Sequence, residues 1–326
     1  VTIEETILFF KNNDKFLLAS HESPDADGLG AQYALTLALK EMGKTTIALN
    51  ADAYSEKYRF IDQQQIIQNL DTFDIKMANL EGFTLILLDT NDIHYAGNIA
   101  VLAKEHKMPV FVIDHHELDS NRNIRGYTIR EASSSCELVF SLLQAMSIAI
   151  KPDVAQALFT GIVYDTGSFA YSKTSARTME VGSALLATGV KADNVHKALY
   201  ESSSIHALLL KKQVLGTLEL ELDNQVAFQT MTLATLAQSG ASYIDAEDLI
   251  NIPMQCKTVE VSILVKEADN GHLRCSLRGK GKINVAALAQ NFGGGGHKNA
   301  AGFRSPWPLA DLKGKMLSLL RELLTP

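Results

Sequence analysis

Four short stretches of the chain combine histidine and aspartate in ways that suit metal or proton chemistry. The first is His21-Glu22-Ser23-Pro24-Asp25-Ala26-Asp27-Gly28. The second is Asp89, which closes the apolar run Leu85-Ile86-Leu87-Leu88, and the third is Asp114-His115-His116, which closes Val110-Phe111-Val112-Ile113. The fourth is Asp165, within Gly161-Ile162-Val163-Tyr164-Asp165-Thr166-Gly167. Imidazoles with several carboxylates and no thiolate suit Mn²⁺, or Mg²⁺, better than a structural zinc site. Two such ions sharing carboxylates, about 3.5–4 Å apart, form a device for attack on phosphorus: water is acidified and phosphate charge is neutralised. Six ligands for two ions leave positions open for water and substrate.

Each stretch has a plainer explanation when taken alone. His21 could cap a turn, Asp89 could cap the segment after its strand, and Asp165 could be a solvated turn residue. The Asp-His-His triplet is rarer by chance. Four such groups, all at strand or helix ends, are hard to attribute to coincidence.

The elements that must position these residues follow from the apolar pattern. Short buried-strand runs fall at 16–19, 46–49, 83–88 and 110–113, separated by turn residues and helical patterns such as 29–42. That alternation predicts βαβ units and a parallel sheet, in which ligands bind outside the carboxyl ends of the strands. Ser133-Ser134-Ser135 can cap a helix from Cys136 to about Met146, and Pro152 opens the next. A helical stretch, 191–221, separates this α/β domain (1–190) from a smaller α+β domain (222–326). In the latter, strands are expected at 225–231, 258–265 and 273–277, with helices at 285–292 and 309–324.

Composition narrows the partners. Of 326 residues, 46% are hydrophobic and 21% charged, and Asp plus Glu exceed Lys plus Arg by 37 to 30. A net charge of −7 argues against gripping long duplexes through counterion release, yet permits a local phosphate site. Three cysteines without CxxC spacing argue against a disulfide framework and a zinc ribbon. No apolar run is long enough to span a bilayer, and the N-terminus lacks signal-peptide features. A soluble, cytoplasmic protein is expected. His94, His106, His196, His206 and His272 have no ligand-like companions, and Trp307 reads as packing; Tyr164 and Phe169 read as core packing, with a place lining a nucleotide pocket as the alternative.

The run Gly293-Gly294-Gly295-Gly296-His297 admits two explanations, a flexible hinge or a concave backbone N–H site for anions. Arg278, upstream in a strand-like segment, could hold phosphate through two parallel hydrogen bonds.

Taken in order, the N-terminal motifs and the C-terminal Ser276-Leu277-Arg278 and Gly293 to Gly302 segments resemble the DHH phosphoesterase family, in its DHHA1-containing branch, and within it the nanoRNase type. The resemblance spans most of the chain. It implies that His21 and Asp25 hold one divalent cation, that Asp27, His115 and Asp165 hold a second, and that Asp89 bridges both. Asp114 would orient the adjacent histidine, and His116 would contact the scissile phosphate or protonate the leaving oxygen. Gly294, Gly295, Gly296, His297 and Arg278 would bind a terminal phosphate across a cleft from the metals. Ala26 stands where the family often has glycine, and Gly28 where it has Ala or Ser; local turn changes are expected there.

The expected partner is short single-stranded RNA or DNA, or a small nucleotide such as 3′-phosphoadenosine-5′-phosphate, with no membrane partner and with a homodimer left open. Rival readings are a RecJ-like single-strand exonuclease, a family II pyrophosphatase-like hydrolase and a non-enzymatic nucleotide-binding regulator.

Overall fold

The computed structural model describes the chain apart from residues 76, 117–124, 269–270 and 325–326 and the side chains of Ile244, Glu247 and His297. Two compact units emerge, Val1–Ser202 and Ser203–Pro326.

In the first unit, α1 (Ile3–Asn12) opens on a capping box in which Thr2 and Glu5 satisfy each other's backbone N–H groups. It is followed by β1 (Lys15–Ala19), α2 (Ala26–Glu41), β2 (Thr45–Asn50), β3 (Ile67–Asn69) and β4 (Thr84–Leu88). Then come α3 (Asn98–Glu105), β5 (Val110–Asp114), β6 (Gly126–Thr128), α4 (Ser135–Ala145), α5 (Pro152–Asp165), α6 (Ala176–Ala187) and α7 (Ala192–Tyr200). All six strands pair in parallel, in the order β3-β2-β1-β4-β5-β6.

Successive side chains on a strand point to opposite faces, and here both faces are apolar. Phe16, Leu18, Ile86, Leu88, Phe111 and Ile113 join a core with α1, α2, α4 and α5, while Leu17, Ala19, Leu85, Leu87 and Val112 join another with α3. The doubly covered parallel sheet is the α/β architecture anticipated from the strand runs. Tyr164 and Phe169 pack against the first core.

The second unit begins with α8 (Ile205–Leu215), followed by β7 (Glu219–Glu221), β8 (Val226–Met231), α9 (Leu233–Ser239), β9 (Val261–Glu267) and β10 (Leu273–Gly279). It ends with α10 (Val285–Gln290), β11 (Gly295–His297), β12 (Ala300–Ser305) and α11 (Leu309–Leu324). Its sheet runs β11-β12-β10-β9-β8-β7 and is mixed, with β8 and β9 parallel and the other pairs antiparallel. One face buries Val226, Phe228, Ile263, Cys275, Leu277 and Phe303 against α10 and α11. Trp307 sits edge-on to Phe292 beside this core. Of the segment 191–221, α7 belongs to the first unit, and α8 and β7 to the second.

The glycine run forms a turn and an edge strand. Gly294 lies against the Gly302 carbonyl and Phe303, where a Cβ has no room, and Gly296 has φ +138°. Among the described residues no helix is long and apolar enough to cross a membrane.

Candidate metal centre

The strand order reverses between β1 and β4, and that reversal opens a crevice beyond their carboxyl ends. His21 lies two residues beyond β1, Asp89 directly follows β4, and Asp114 ends β5 with His115 and His116 immediately after. Asp25 is the N-cap of α2, its Oδ1 accepting from the N–H groups of Asp27 (3.0 Å) and Gly28 (3.2 Å). The helix therefore starts three residues before the sequence pattern suggests, because the ligand-like aspartate is also its cap. Asp165 is the last residue of α5, which packs against α2 and α4.

Close packing around these residues explains two glycines. A Cβ on Gly28 would strike the Ser20 hydroxyl, and one on Gly161 would lie 2.8 Å from Asp27 Oδ1. Asp89 has φ +59°, a left-handed conformation that aspartate tolerates better than most residues, while its N–H donates to the Ile113 carbonyl (3.1 Å).

The donor atoms gather in two triads, His21/Asp25/Asp89 and Asp27/His115/Asp165, and in a third group, Asp89/Asp114/His115/His116, each with its ligand atoms within 4.8 Å of one another. Asp89 faces both triads. Its Oδ2 lies 3.7 Å from His21 Nε2 and its Oδ1 lies 3.4 Å from His115 Nε2. His115 Nε2 is also 3.2 Å from Asp165 Oδ2 and 3.9 Å from Asp27 Oδ2. It is buried and makes no hydrogen bond, although three carboxylates surround it. A buried nitrogen in that position fits a cation: ligands each about 2.1 Å from one ion, at right angles, lie about 3 Å apart. On the other side of the ring, Nδ1 lies 3.1 Å from Lys173 Nζ and 3.3 Å from the Ala132 carbonyl, and Lys173 Nζ also donates to the His115 carbonyl (3.3 Å).

The electrostatics agree. Burial, then the charges of Asp89 and Asp165, holds the Asp27 carboxyl well above the usual range, and burial with Asp89 raises Asp25 as well. Burial and Asp89 push Asp165 up to about 7. Burial alone would raise Asp89 too, but the imidazoles of His115 and His21 hold it well below. Burial opposes protonation of those rings; the carboxylates win and raise His21 to about 10 and His115 to about 9. Crowded negative charge without enough positive partners is the condition that divalent cations relieve.

The C-terminal candidates lie in the second unit. Arg278 is half-buried on β10, in register with Ala300 on β12, and donates to its neighbour's carbonyl at Leu277 (3.2 Å). Gly295, Gly296 and the backbone of His297 form β11; the His297 side chain lies outside the described residues.

Residues 15–162 match the model of the DHH family N-terminal domain, and residues 223–325 match that of the DHHA1 domain. The chain is a DHH–DHHA1 protein. It is 26% identical to the bifunctional oligoribonuclease and PAP phosphatase NrnA of Thermus thermophilus, over 94% of this chain and 90% of that one. It is 28% identical to a probable bifunctional oligoribonuclease and PAP phosphatase NrnA of Streptococcus mutans, over 94% of each. A solved exopolyphosphatase-related protein from Bacteroides fragilis superposes with TM-score 0.91 at 26% identity, over 99% of this chain and 97% of that one.

In this DHH–DHHA1 chain, two features of the centre escaped the sequence reading. The N-terminus of α4 holds Asp27 through the main chain: Ser135 N donates to Oδ2 (2.6 Å) and Cys136 N to Oδ1 (2.9 Å). These are amides that a helix leaves unpaired, at its positive end. The Ser135 hydroxyl donates to Asp89 Oδ1 (3.0 Å). The serine run did signal a cap, and Ser134 is that cap, but nothing in sequence says where the next hydroxyl points.

The other feature corrects an expectation. Asp114 accepts from the ring of His116, Nδ1 to Oδ1 at 2.7 Å, and not from the adjacent His115; its Oδ2 accepts from Asn91 (2.8 Å). β5 ends at Asp114, and the bend at His116 brings that ring onto the carboxylate while His115 Nε2 faces Asp89, Asp165 and Asp27.

Ser135→Ala removes a hydrogen bond to Asp89, the charged acceptor that faces both His21 and His115. Metal affinity and kcat are each expected to fall about ten- to a hundredfold, with Ser135→Thr recovering part of the loss. Manganese titration followed by calorimetry checks it; unchanged affinity would leave Ser135 a bystander.

Proposed function

We propose that this protein is a two-metal phosphoesterase acting on short oligonucleotides, nanoRNA and linear dinucleotides, with 3′-phosphoadenosine-5′-phosphate as a second substrate. The observation that carries the reading is the pair of triads that Asp89 joins, with the buried His115 Nε2 facing three carboxylates. The bifunctional relatives support the substrate class.

His21 and Asp25 hold one ion, Asp27, His115 and Asp165 hold the other, and Asp89 serves both. Mn²⁺ suits this oxygen-rich set with two imidazoles, and Mg²⁺ is the alternative. Divalent ions so bound supply an acidified water and charge neutralisation at phosphorus. Asp114 and Asn91 fix the His116 ring through Nδ1, so chemistry at the substrate falls to its Nε2. Burial opposes a proton on His116, but Asp114 and Asp89 outweigh it and raise its pKa, as a donor to a leaving oxygen requires. Arg278, Gly294–Gly296 and His297 hold a phosphate remote from the reacting one.

The deciding experiment is a product time course with Mn²⁺ on 5′-labelled RNAs from dinucleotide to twenty-four-mer, with 3′-phosphoadenosine-5′-phosphate and pyrophosphate in parallel. Mononucleotide release should be fastest from the shortest RNAs, with kcat/KM falling steeply as length grows. Equal kcat/KM on a dinucleotide and a twenty-four-mer would favour a processive exonuclease. Turnover of pyrophosphate alone would favour a pyrophosphatase, and no turnover with any of them a regulator.

A further inference from the structure

Beyond Arg278, the C-terminal sheet carries a second concentration of positive charge. Lys266, Arg274 and Arg304 stand at one level across β9, β10 and β12, paired Lys266 with Arg274 and Arg274 with Arg304. Along β10, Leu273, Cys275 and Leu277 are buried in the core, so Arg274, Ser276 and Arg278 share the opposite face, as do Gly302 and Arg304 on β12. Like charges directly opposite on neighbouring strands repel.

The Tyr243 ring meets part of this charge: Lys266 Nζ lies 4.8 Å and the Arg274 guanidinium 5.6 Å from its centroid. Arg304 has no such contact. It is exposed, and among the described residues neither it nor Arg274 makes an ion pair. The nearest level of the same face offers Ser276 and Gly302, with no carboxylate. Two guanidinium groups side by side, without an acidic partner, are suited to a phosphate.

Arg274 and Arg278 are four residues apart on one face of one strand, about 13 Å. One phosphate cannot touch both. We infer that Arg274 and Arg304 form a second anion site, which takes a further backbone phosphate of single-stranded oligonucleotides longer than a dinucleotide. The inference rests on the oligonucleotide reading above and extends it from the ends of the substrate to its interior.

The test compares wild type with Arg274→Gln/Arg304→Gln by fluorescence anisotropy, with Mn²⁺ present, on a 5′-labelled dinucleotide and a pentanucleotide whose phosphorothioate linkages resist hydrolysis. Pentanucleotide affinity should fall about tenfold, and the slope of log affinity against log salt should shrink by about one unit. Dinucleotide affinity should not change, nor should the thermal unfolding of the variant. Unchanged pentanucleotide affinity and slope would mean solvated arginines only, and equal loss on both ligands would mean a general charge effect; either overturns the site. If wild type binds neither oligonucleotide, the functional reading falls and the site with it, whereas binding by wild type that the variant retains removes the site alone.

Discussion

Asp89→Ala is expected to abolish phosphate-ester hydrolysis, by about a thousandfold or more, and to weaken binding of both ions together. The carboxylate is the only one whose two oxygens face different imidazoles, Oδ2 toward His21 and Oδ1 toward His115, among the described residues. Removing it takes a donor from the first triad and, with it, the carboxylate that faces His115 of the second. Charge stabilisation by metal at phosphorus amounts to several kcal/mol, and about 1.4 kcal/mol corresponds to a factor of ten in rate. Asp165 provides the control. It is partly exposed and lies in one triad alone, so Asp165→Ala should weaken mainly one ion. Manganese stoichiometry measured beside turnover of a generic ester such as bis-p-nitrophenyl phosphate separates the two variants. Near-wild-type activity of Asp89→Ala at saturating Mn²⁺ would sink the bridging role.

Arg278→Ala should divide substrates instead of metals. It lies in the second unit, on a strand that contributes none of the six donors, and on the function proposed above it would bind substrate and take no part at the reacting centre. Remote contacts supply binding and orientation, so their loss raises KM and lowers kcat only through misplacement. A charged contact of this kind contributes roughly 1.5–3 kcal/mol, or about ten- to a hundredfold in kcat/KM. That penalty is expected on dinucleotides and should nearly vanish on bis-p-nitrophenyl phosphate, which has no second phosphate. His297→Ala should behave alike. Manganese content should stay intact in both. Equal losses on both substrates, or a fall in bound manganese, would make the segment structural.

How much of this was legible in the sequence depended on the strength of each local signal. β1, β4 and β5 are short apolar runs that end in His or Asp, and both the strands and their terminal residues could be found. Edge strands of three residues, β3, β6, β7 and β11, leave no periodicity to detect. The start of α1 did carry a signal, Thr2-Ile3-Glu4-Glu5, which is a capping box. α2 was placed late because Ala26, Asp27 and Gly28 read as a turn, although Asp25 caps the helix. Within the centre, residue types and spacing marked the ligand-like groups, whereas their supports could not be foreseen. The Ser135 and Cys136 amides that grip Asp27 belong to backbone geometry, and Asn91 reaches Asp114 only once β4 and β5 lie side by side.

The six donors span the chain from His21 to Asp165 and rest on β1, β4, β5, α2 and α5. No part of the first unit shorter than that can assemble both triads, so ions held as proposed would bind only a chain already folded there. Binding of that kind adds directly to folding stability, about 2.7 kcal/mol when free metal is a hundred times its dissociation constant. The second unit has a core of its own and none of the six donors. On heating, the N-terminal transition should therefore climb with manganese activity and drop under a chelator, while the C-terminal transition stays where it is. Metal supply would then set the lifetime of one half of the molecule and leave the other half indifferent to it.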